Sequence, residues 1–150
     1  MRGVWLYATV LLPVVSDAAP PPARECAAPG HYVEGMLLTH LKNDLGIDLT
    51  TIRFEKTTVD IVRVAPVSEL FARQLAAMDS RADMNKPKAD RLSEKEYFAL
   101  YYNGNVQTVT ATYTLTNINN QRDIFISSAL VNDEECSIRY NGYLTIAREF

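Results

Sequence analysis

Cysteine chemistry in this chain is limited to Cys26 and Cys136. Two thiolates without histidine partners do not complete a closed zinc site. In an oxidising compartment an even number of cysteines favours disulfide formation, and two cysteines allow a single pairing. We therefore expect a Cys26–Cys136 disulfide, which would close a loop of about 100 residues and contribute up to about 4.7 kcal/mol in the chain-entropy model. Two buried free thiols are the alternative.

Imidazole chemistry is limited to His31 and His40, which are nine residues apart. That spacing does not place both rings on one face of a straight helix, so it does not favour a metal site. General acid or base catalysis by either ring would need a nucleophile or carboxylate that the sequence does not place beside it. We predict two surface or helix-end histidines, no metal and no cofactor.

Neither the acidic clusters nor any known catalytic signature predicts an enzymatic reaction. Asp133, Glu134 and Glu135 fall in a predicted turn, and Glu94 and Glu96 fall at a predicted helix start, where carboxylates favour the helix dipole. The sequence contains no phosphate-binding glycine loop, nucleophile elbow, zinc-protease pattern or calcium loop. We predict no catalytic residue. A small hydrolytic enzyme using His31 or His40 with a carboxylate stays open as an alternative.

Two sets of side chains could instead form a partner surface. Threonines recur at every second position along a predicted strand, and tyrosines cluster in a predicted helix. The first set comprises Thr108, Thr110, Thr112, Thr114 and Thr116, and the second comprises Tyr97, Tyr101 and Tyr102. The threonine row could equally reflect high β-propensity on a solvated face. The tyrosines could equally line a contact between helix and sheet, together with Tyr113, Tyr140 and Tyr143.

The first 18 residues have the features of a cleavable signal peptide. Arg2 supplies a positive charge, Val4 to Val15 are apolar except for Pro13, and small residues precede a cleavage point after Ala18. A membrane-spanning helix needs about 20 apolar residues, so we expect no membrane anchoring after signal cleavage. A buried N-terminal helix or strand is the alternative. The expected location is the periplasm or the extracellular space.

The charge of the mature chain indicates which partners to exclude. Loss of residues 1–18 removes Arg2 and Asp17, which leaves 14 basic and 17 acidic residues and a formal charge of −3. A weakly acidic chain without a basic block gives no electrostatic basis for binding nucleic acid. The remaining partner classes are an unknown protein or a small ligand.

The elements that would position these residues begin after a Pro/Ala-rich arm at 19–30, which favours extended backbone. Apolar residues at intervals of three and four predict a helix over His31–Leu45, ended by Gly46. β-branched residues predict a strand over Ile52–Val67. A second helix begins at the N-cap Ser68, with an apolar stripe of Leu70, Phe71, Leu75 and Met78.

The second half of the chain predicts a short helix and three strands. Asp79–Leu92 is charged and aperiodic, which is typical of an exposed, mobile connection. Ser93 and Glu96 have capping-box spacing and predict a helix to Asn103. Alternation predicts a strand over Val106–Leu115, followed by strands over Asp123–Val131 and Cys136–Arg148, the last one interrupted near Asn141-Gly142.

These elements predict one α+β domain over residues 31–150, with N-terminal helices packed on a curved antiparallel meander of about four strands. The outline resembles cystatin-like and nuclear-transport-factor-like folds, and this resemblance implies architecture but no function. We expect an exported, non-enzymatic binding or interaction module. The alternatives are a secreted inhibitor or immunity-type protein directed against a toxin or hydrolase, and the small enzyme described above.

Overall fold

A computed structural model describes residues 23–150. It confirms the α+β architecture: three helices pack against an open antiparallel sheet with strand order β1-β2-β3-β4. The elements are α1 (Tyr32–Leu45), β1 (Thr58–Pro66), α2 (Glu69–Ala82), α3 (Glu94–Tyr102), β2 (Gln107–Thr116), β3 (Arg122–Val131) and β4 (Arg139–Ala147). The predicted signal peptide and residues 19–22 of the predicted arm lie outside the described residues.

The main core lies between α1 and one face of the sheet. Alternate residues of β2 point into it, and all four are fully buried: Val109, Ala111, Tyr113 and Leu115. Val33, Leu37 and Leu41 of α1 recur at helical spacing and fill the other side of this core. α1 ends where Gly46 adopts a left-handed conformation with φ 67°, as the sequence predicts.

A second, smaller core joins α2 and α3 to one end of the sheet. It contains Val67, Ala72, Leu75, Ala76, Tyr101, Val106 and Leu130. The predicted apolar stripe of α2 is partly wrong, because Leu70 and Met78 are exposed. The predicted Leu75 is buried, together with the small residues Ala72 and Ala76. The predicted caps are confirmed: the Ser68 side chain accepts from the Phe71 amide, and Ser93 with Glu96 forms a capping box.

The disulfide between Cys26 and Cys136 is confirmed. Its surroundings differ from the prediction in two ways. Residues 23–30 are not an extended arm, because Glu25–Ala27 form a short 3-10 turn whose Cys26 and Ala27 are buried in the main core. Cys136 lies in the β3–β4 connection rather than in the last strand, which begins at Arg139. The arm is therefore part of the packed domain.

Two other predicted boundaries are wrong. The first strand begins at Thr58 and not at Ile52, since short 3-10 turns occupy Leu49–Thr51 and Phe54–Lys56. Asp79–Leu92 is not wholly an exposed connection, because α2 continues to Ala82 and Asp83 is buried. Acidic side chains that accept hydrogen bonds from other elements allow the helix to continue through a charged sequence.

Buried Asp123 fastens the C-terminal residues to the sheet. Its carboxylate accepts the backbone N–H groups of Glu149 at 2.7 Å and Phe150 at 3.1 Å, and the Arg148 Nε at 3.3 Å. Three donors compensate the cost of burying this charge. Among residues 23–150, no helix combines the length and the apolar character needed to cross a membrane.

Candidate functional site: the open face of the sheet

The threonine row lies on the sheet face opposite α1. Because directly opposed residues in antiparallel strands point to the same side, the strand register defines the neighbours of the row. On β1 they are Thr58, Asp60 and Arg63, opposite Thr114, Thr112 and Thr110, respectively. On β3 they are Ile124, Ile126 and Ser128, opposite the same three threonines. We call this surface the open face.

The open face is partly accessible and chemically divided. Thr110, Thr112 and Thr114 are half-buried. Helices α2 and α3 reach only the end of the face near Thr108, where its partner Leu130 belongs to the second core. Towards β4 the face becomes apolar, because Ile126 lies opposite Leu144, which is 66% exposed. A hydroxyl band therefore borders an apolar strip.

One end of the open face carries a basic cavity. This cavity of about 360 Å³ is lined by Lys56, Thr58, Thr114, Thr116, Asn120 and Arg122. Three threonines and two cationic side chains thus line one cavity at the ends of β1, β2 and β3. Such a set of donors suits an oxyanion, because hydrogen bonds between charged partners are stronger than neutral ones.

The two cations in this cavity are not neutralised by ion pairs within the described chain. Lys56 Nζ donates to the neutral amide oxygen of Asn120 at 3.0 Å. Neither Lys56 nor Arg122 forms a salt bridge with any residue in 23–150. An acidic side chain does lie close to the cavity, since the Glu149 carboxylate accepts the backbone N–H of Arg122 at 2.7 Å. The guanidinium of Arg122 is therefore available to a ligand.

The turn between β2 and β3 positions Asn120 in this cavity. The side-chain oxygen of Asn117 accepts the backbone N–H groups of Asn119 at 2.9 Å and Gln121 at 3.0 Å. These bonds stabilise the turn, which allows Asn120 the left-handed conformation (φ 62°) that asparagine tolerates better than most residues. The turn was predicted from the sequence; its role in the cavity was not.

A shallower depression lies over β3 and β4. Its volume is about 280 Å³, and Thr110, Ile126, Ser128, Gly142 and Leu144 are among its lining residues. The strand register shifts here between Ser128 and Ala129, and Gly142 has φ 107°, a conformation that favours glycine. The predicted interruption near Asn141-Gly142 thus coincides with a bulge that indents the open face.

Two of the three clustered tyrosines have structural partners. Tyr101 is buried and donates to Asp79 at 2.7 Å, and Tyr97 donates to Asp83 at 2.7 Å. Arg139 of β4 also binds Asp79 with two hydrogen bonds, at 2.6 and 3.0 Å. Only Tyr102, which stacks on Phe98, is well exposed. The tyrosine cluster mainly joins α2, α3 and β4, and Tyr101 shares the second core with Leu130, the β3 partner of Thr108.

The acidic members of this network have lowered pKa values. Burial would raise the pKa of Asp79, but the hydrogen bonds from Arg139 and Tyr101 outweigh burial and lower it. The Lys86 ammonium, at 2.6 Å, and the Tyr97 hydroxyl lower the pKa of Asp83. Burial and the bond to Asp79 raise the pKa of Tyr101, so its hydroxyl remains a donor. The sequence analysis missed both aspartates as acceptors.

The two histidines lie apart. His31 is exposed directly before α1, whereas His40 within α1 bonds its Nδ1 to Asp44 at 3.2 Å and stacks on Tyr140 at 5.1 Å. The four-residue spacing of His40 and Asp44 is a sequence signal for this pair. Burial raises the pKa of Tyr140 to about 12, although a hydrogen bond with Ser127 opposes that shift. Within the described chain, His40 has no hydrogen bond to a nucleophile.

The acidic clusters lie where the sequence predicts, at a helix start and in a turn. Glu96 accepts from Ser93, and Asp133 accepts from the Asn105 side chain at 2.8 Å. Within residues 23–150, no three histidine, cysteine, aspartate or glutamate side chains are close enough together to hold a metal ion.

Comparisons with known proteins yield no relative. The chain matches no protein-family model, no curated protein and no solved structure.

Proposed function

We propose that this chain is an exported binding protein that recognises an anionic group of a protein partner through the open face. The observation that carries the proposal is the basic cavity, in which Lys56 and Arg122 meet three threonine hydroxyls without an acidic side chain paired to either cation among the described residues. The group that best fits these donors is a carboxylate or another oxyanion.

The surroundings of the cavity favour a protein over a bare anion as the partner. The threonine row leads from the cavity to the apolar strip of Ile126 and Leu144, so a partner could bury apolar surface while its anionic group binds the cations. The chain itself has a formal charge of −3, so the basic cavity is a local reversal of its overall charge. Such a local charge contributes orientation and specificity more than total affinity.

The decisive experiment compares charge-reversal variants in affinity capture. The bait is the protein as exported by its own host, and it is incubated with that host's periplasmic and culture fluid. We expect the unmodified protein to retain a partner. The double variant Lys56→Glu with Arg122→Glu should retain at least tenfold less of it. The matched control pair, Lys88→Glu with Arg91→Glu, makes the same change in charge in the exposed connection before α3 and should retain the partner.

A partner-independent measurement tests the cavity itself. Acetate and phosphate are titrated into ¹⁵N-labelled protein, and the amide signals of Thr114, Thr116 and Arg122 are followed. We expect saturable shifts that disappear in the variant with both cations reversed. Equal capture by all variants, or shifts spread evenly over the chain, would contradict recognition of an anion at this site.

A further inference from the structure

A second cavity lies outside the open face, beside the first turns of α1. It has a volume of about 490 Å³ and is lined by Pro29, Gly30, Glu34, Gly35, Leu38 and Phe54. It shares no lining residue with the basic cavity. Its volume falls within the range of about 300–1,000 Å³ that small-molecule sites occupy. The lining is mostly apolar, with Glu34 as its one ionisable side chain.

Glu34 is under-satisfied for a buried carboxylate. It is 4% exposed, and its Oε2 accepts the backbone N–H of Gly30 at 2.5 Å. Its Oε1 is buried and has no hydrogen-bond partner in residues 23–150. No described lysine, arginine or histidine forms a salt bridge with it. Since a buried carboxylate is costly without compensation, a cation from outside the described chain would have a large effect here.

Gly35, which follows Glu34 in α1, also lines the recess. It lies within α1, where glycine is less favourable than alanine because it adds backbone entropy to the unfolded chain. A Cβ atom at this position would meet no atom within 4 Å, so packing does not require glycine. Leu38 lies one turn along the helix, and Phe54 adds a large apolar side chain that is 48% exposed. Gly35 therefore leaves its part of the recess open to solvent, next to the position of Glu34 in the helix.

We propose that this recess binds a small aliphatic primary amine, with its ammonium group at Glu34 and its alkyl chain over Gly35 between Leu38 and Phe54. The charge of Glu34 selects a cation over an anion of the same size. The apolar lining selects an alkyl amine over a strongly hydrated inorganic cation. This site is independent of the open face, so either proposal can fail without the other.

The test uses n-hexylamine as the probe near neutral pH, with hexan-1-ol and hexanoate as probes of matched length. Binding is followed by calorimetry and by the ¹⁵N amide signals of Gly30 and Gly35, which both line the recess. We expect saturable shifts of these two signals with hexylamine and affinities at least tenfold weaker for the alcohol and the acid. Glu34→Gln should weaken hexylamine binding at least tenfold, and Gly35→Leu should abolish it.

Glu94→Gln is the matched control, because it removes the same charge from the exposed start of α3 and should leave hexylamine binding unchanged. If either recess variant fails to fold, the three probes on the unmodified protein still decide the question. Equal binding of the alcohol and the amine would overturn the proposal. So would an absence of shifts at Gly30 and Gly35, or full binding by a folded Glu34→Gln protein.

Discussion

The two faces of the sheet are formed by alternate residues of the same strands, yet they differ in what covers them. On β3, Phe125 is fully buried beneath α1, whereas its neighbour Ile126 is half-buried on the open face. On β2, Tyr113 is buried and donates to the carbonyl oxygen of Ala27 at 2.7 Å, whereas Thr112 beside it contacts the two flanking strands. Away from the end that α2 and α3 cover, stability should therefore depend mainly on the face beneath α1.

The largest expected contrast comes from adjacent alanine substitutions on β3. Phe125→Ala removes a fully buried ring and should lower the free energy of unfolding by about 3–5 kcal/mol. Ile126→Ala removes a half-buried side chain of the open face and should cost about 1 kcal/mol. Urea unfolding monitored by circular dichroism gives both values. Equal losses would show that something covers the open face as completely as α1 covers the other.

The disulfide should stabilise the domain by an amount comparable to the contribution of the Phe125 ring. Cys26 is fully buried in the main core, and the bridge spans 110 positions of sequence. Replacing both cysteines with serine should reduce the free energy of unfolding by about 2–5 kcal/mol. The anion titration of the open face, repeated where the variant is still folded, should be unchanged. Loss of anion binding by a folded variant would show that the two faces are coupled.

An intermediate effect is expected where α2 meets β4. Asp79→Asn weakens the bonds to Arg139 and Tyr101, and because this pair keeps some solvent contact we expect a loss of about 1–2 kcal/mol at neutral pH. The pKa of Asp79 is lowered on folding, so its contribution is present above the ordinary carboxyl pKa and is lost as the pH falls through the lower folded value.

The difference in free energy of unfolding between wild type and Asp79→Asn should therefore shrink as the pH falls below about 4, the pKa of a carboxyl group in the unfolded chain. Unfolding curves for the two proteins at a series of pH values measure it directly. Asp60→Asn, on the open face and without a salt bridge to the described residues, is the control. A difference that persists unchanged at low pH would contradict the role of the charge.

The smallest effect on stability is expected for a substitution in the threonine row itself. Thr112→Ala should change the free energy of unfolding by no more than about 0.5 kcal/mol, because Thr112 is half-buried on the open face and the substitution removes only a hydroxyl and a methyl group. The same urea experiment measures it. A loss above 1.5 kcal/mol would mean that the row contributes to folding, and recognition would then need another surface.

The sequence predicted the architecture where a single period or a local cap determines the structure. The alternation of Val106–Leu115 and the caps at Ser68 and Ser93 are such signals, and all are confirmed. Asp79 and Asp83 were predicted to be solvated, because composition cannot show that a tyrosine from another helix donates to each. Whether a charged residue in a connection is buried depends on hydrogen-bond partners that only the tertiary structure identifies.

The candidate site was predictable only in part. The threonine row follows from the period of β2, but Lys56 and Arg122 are 66 residues apart and meet only because β1 and β3 flank β2. The recess at Glu34 was missed altogether, since a glutamate in the first turn of a helix is ordinary. Its lining also combines Pro29 and Gly30, before the helix, with Phe54, which the sequence placed in a strand.

The Cys26–Cys136 bond also makes most of the domain a closed covalent ring that contains all three helices and three of the four strands. A protease that cuts the exposed connection between α2 and α3 would open this ring without dividing the molecule. The two halves would stay attached through sulfur, and the sheet could hold its register across the cut. A nicked copy would therefore stay in one piece until a reductant released its halves.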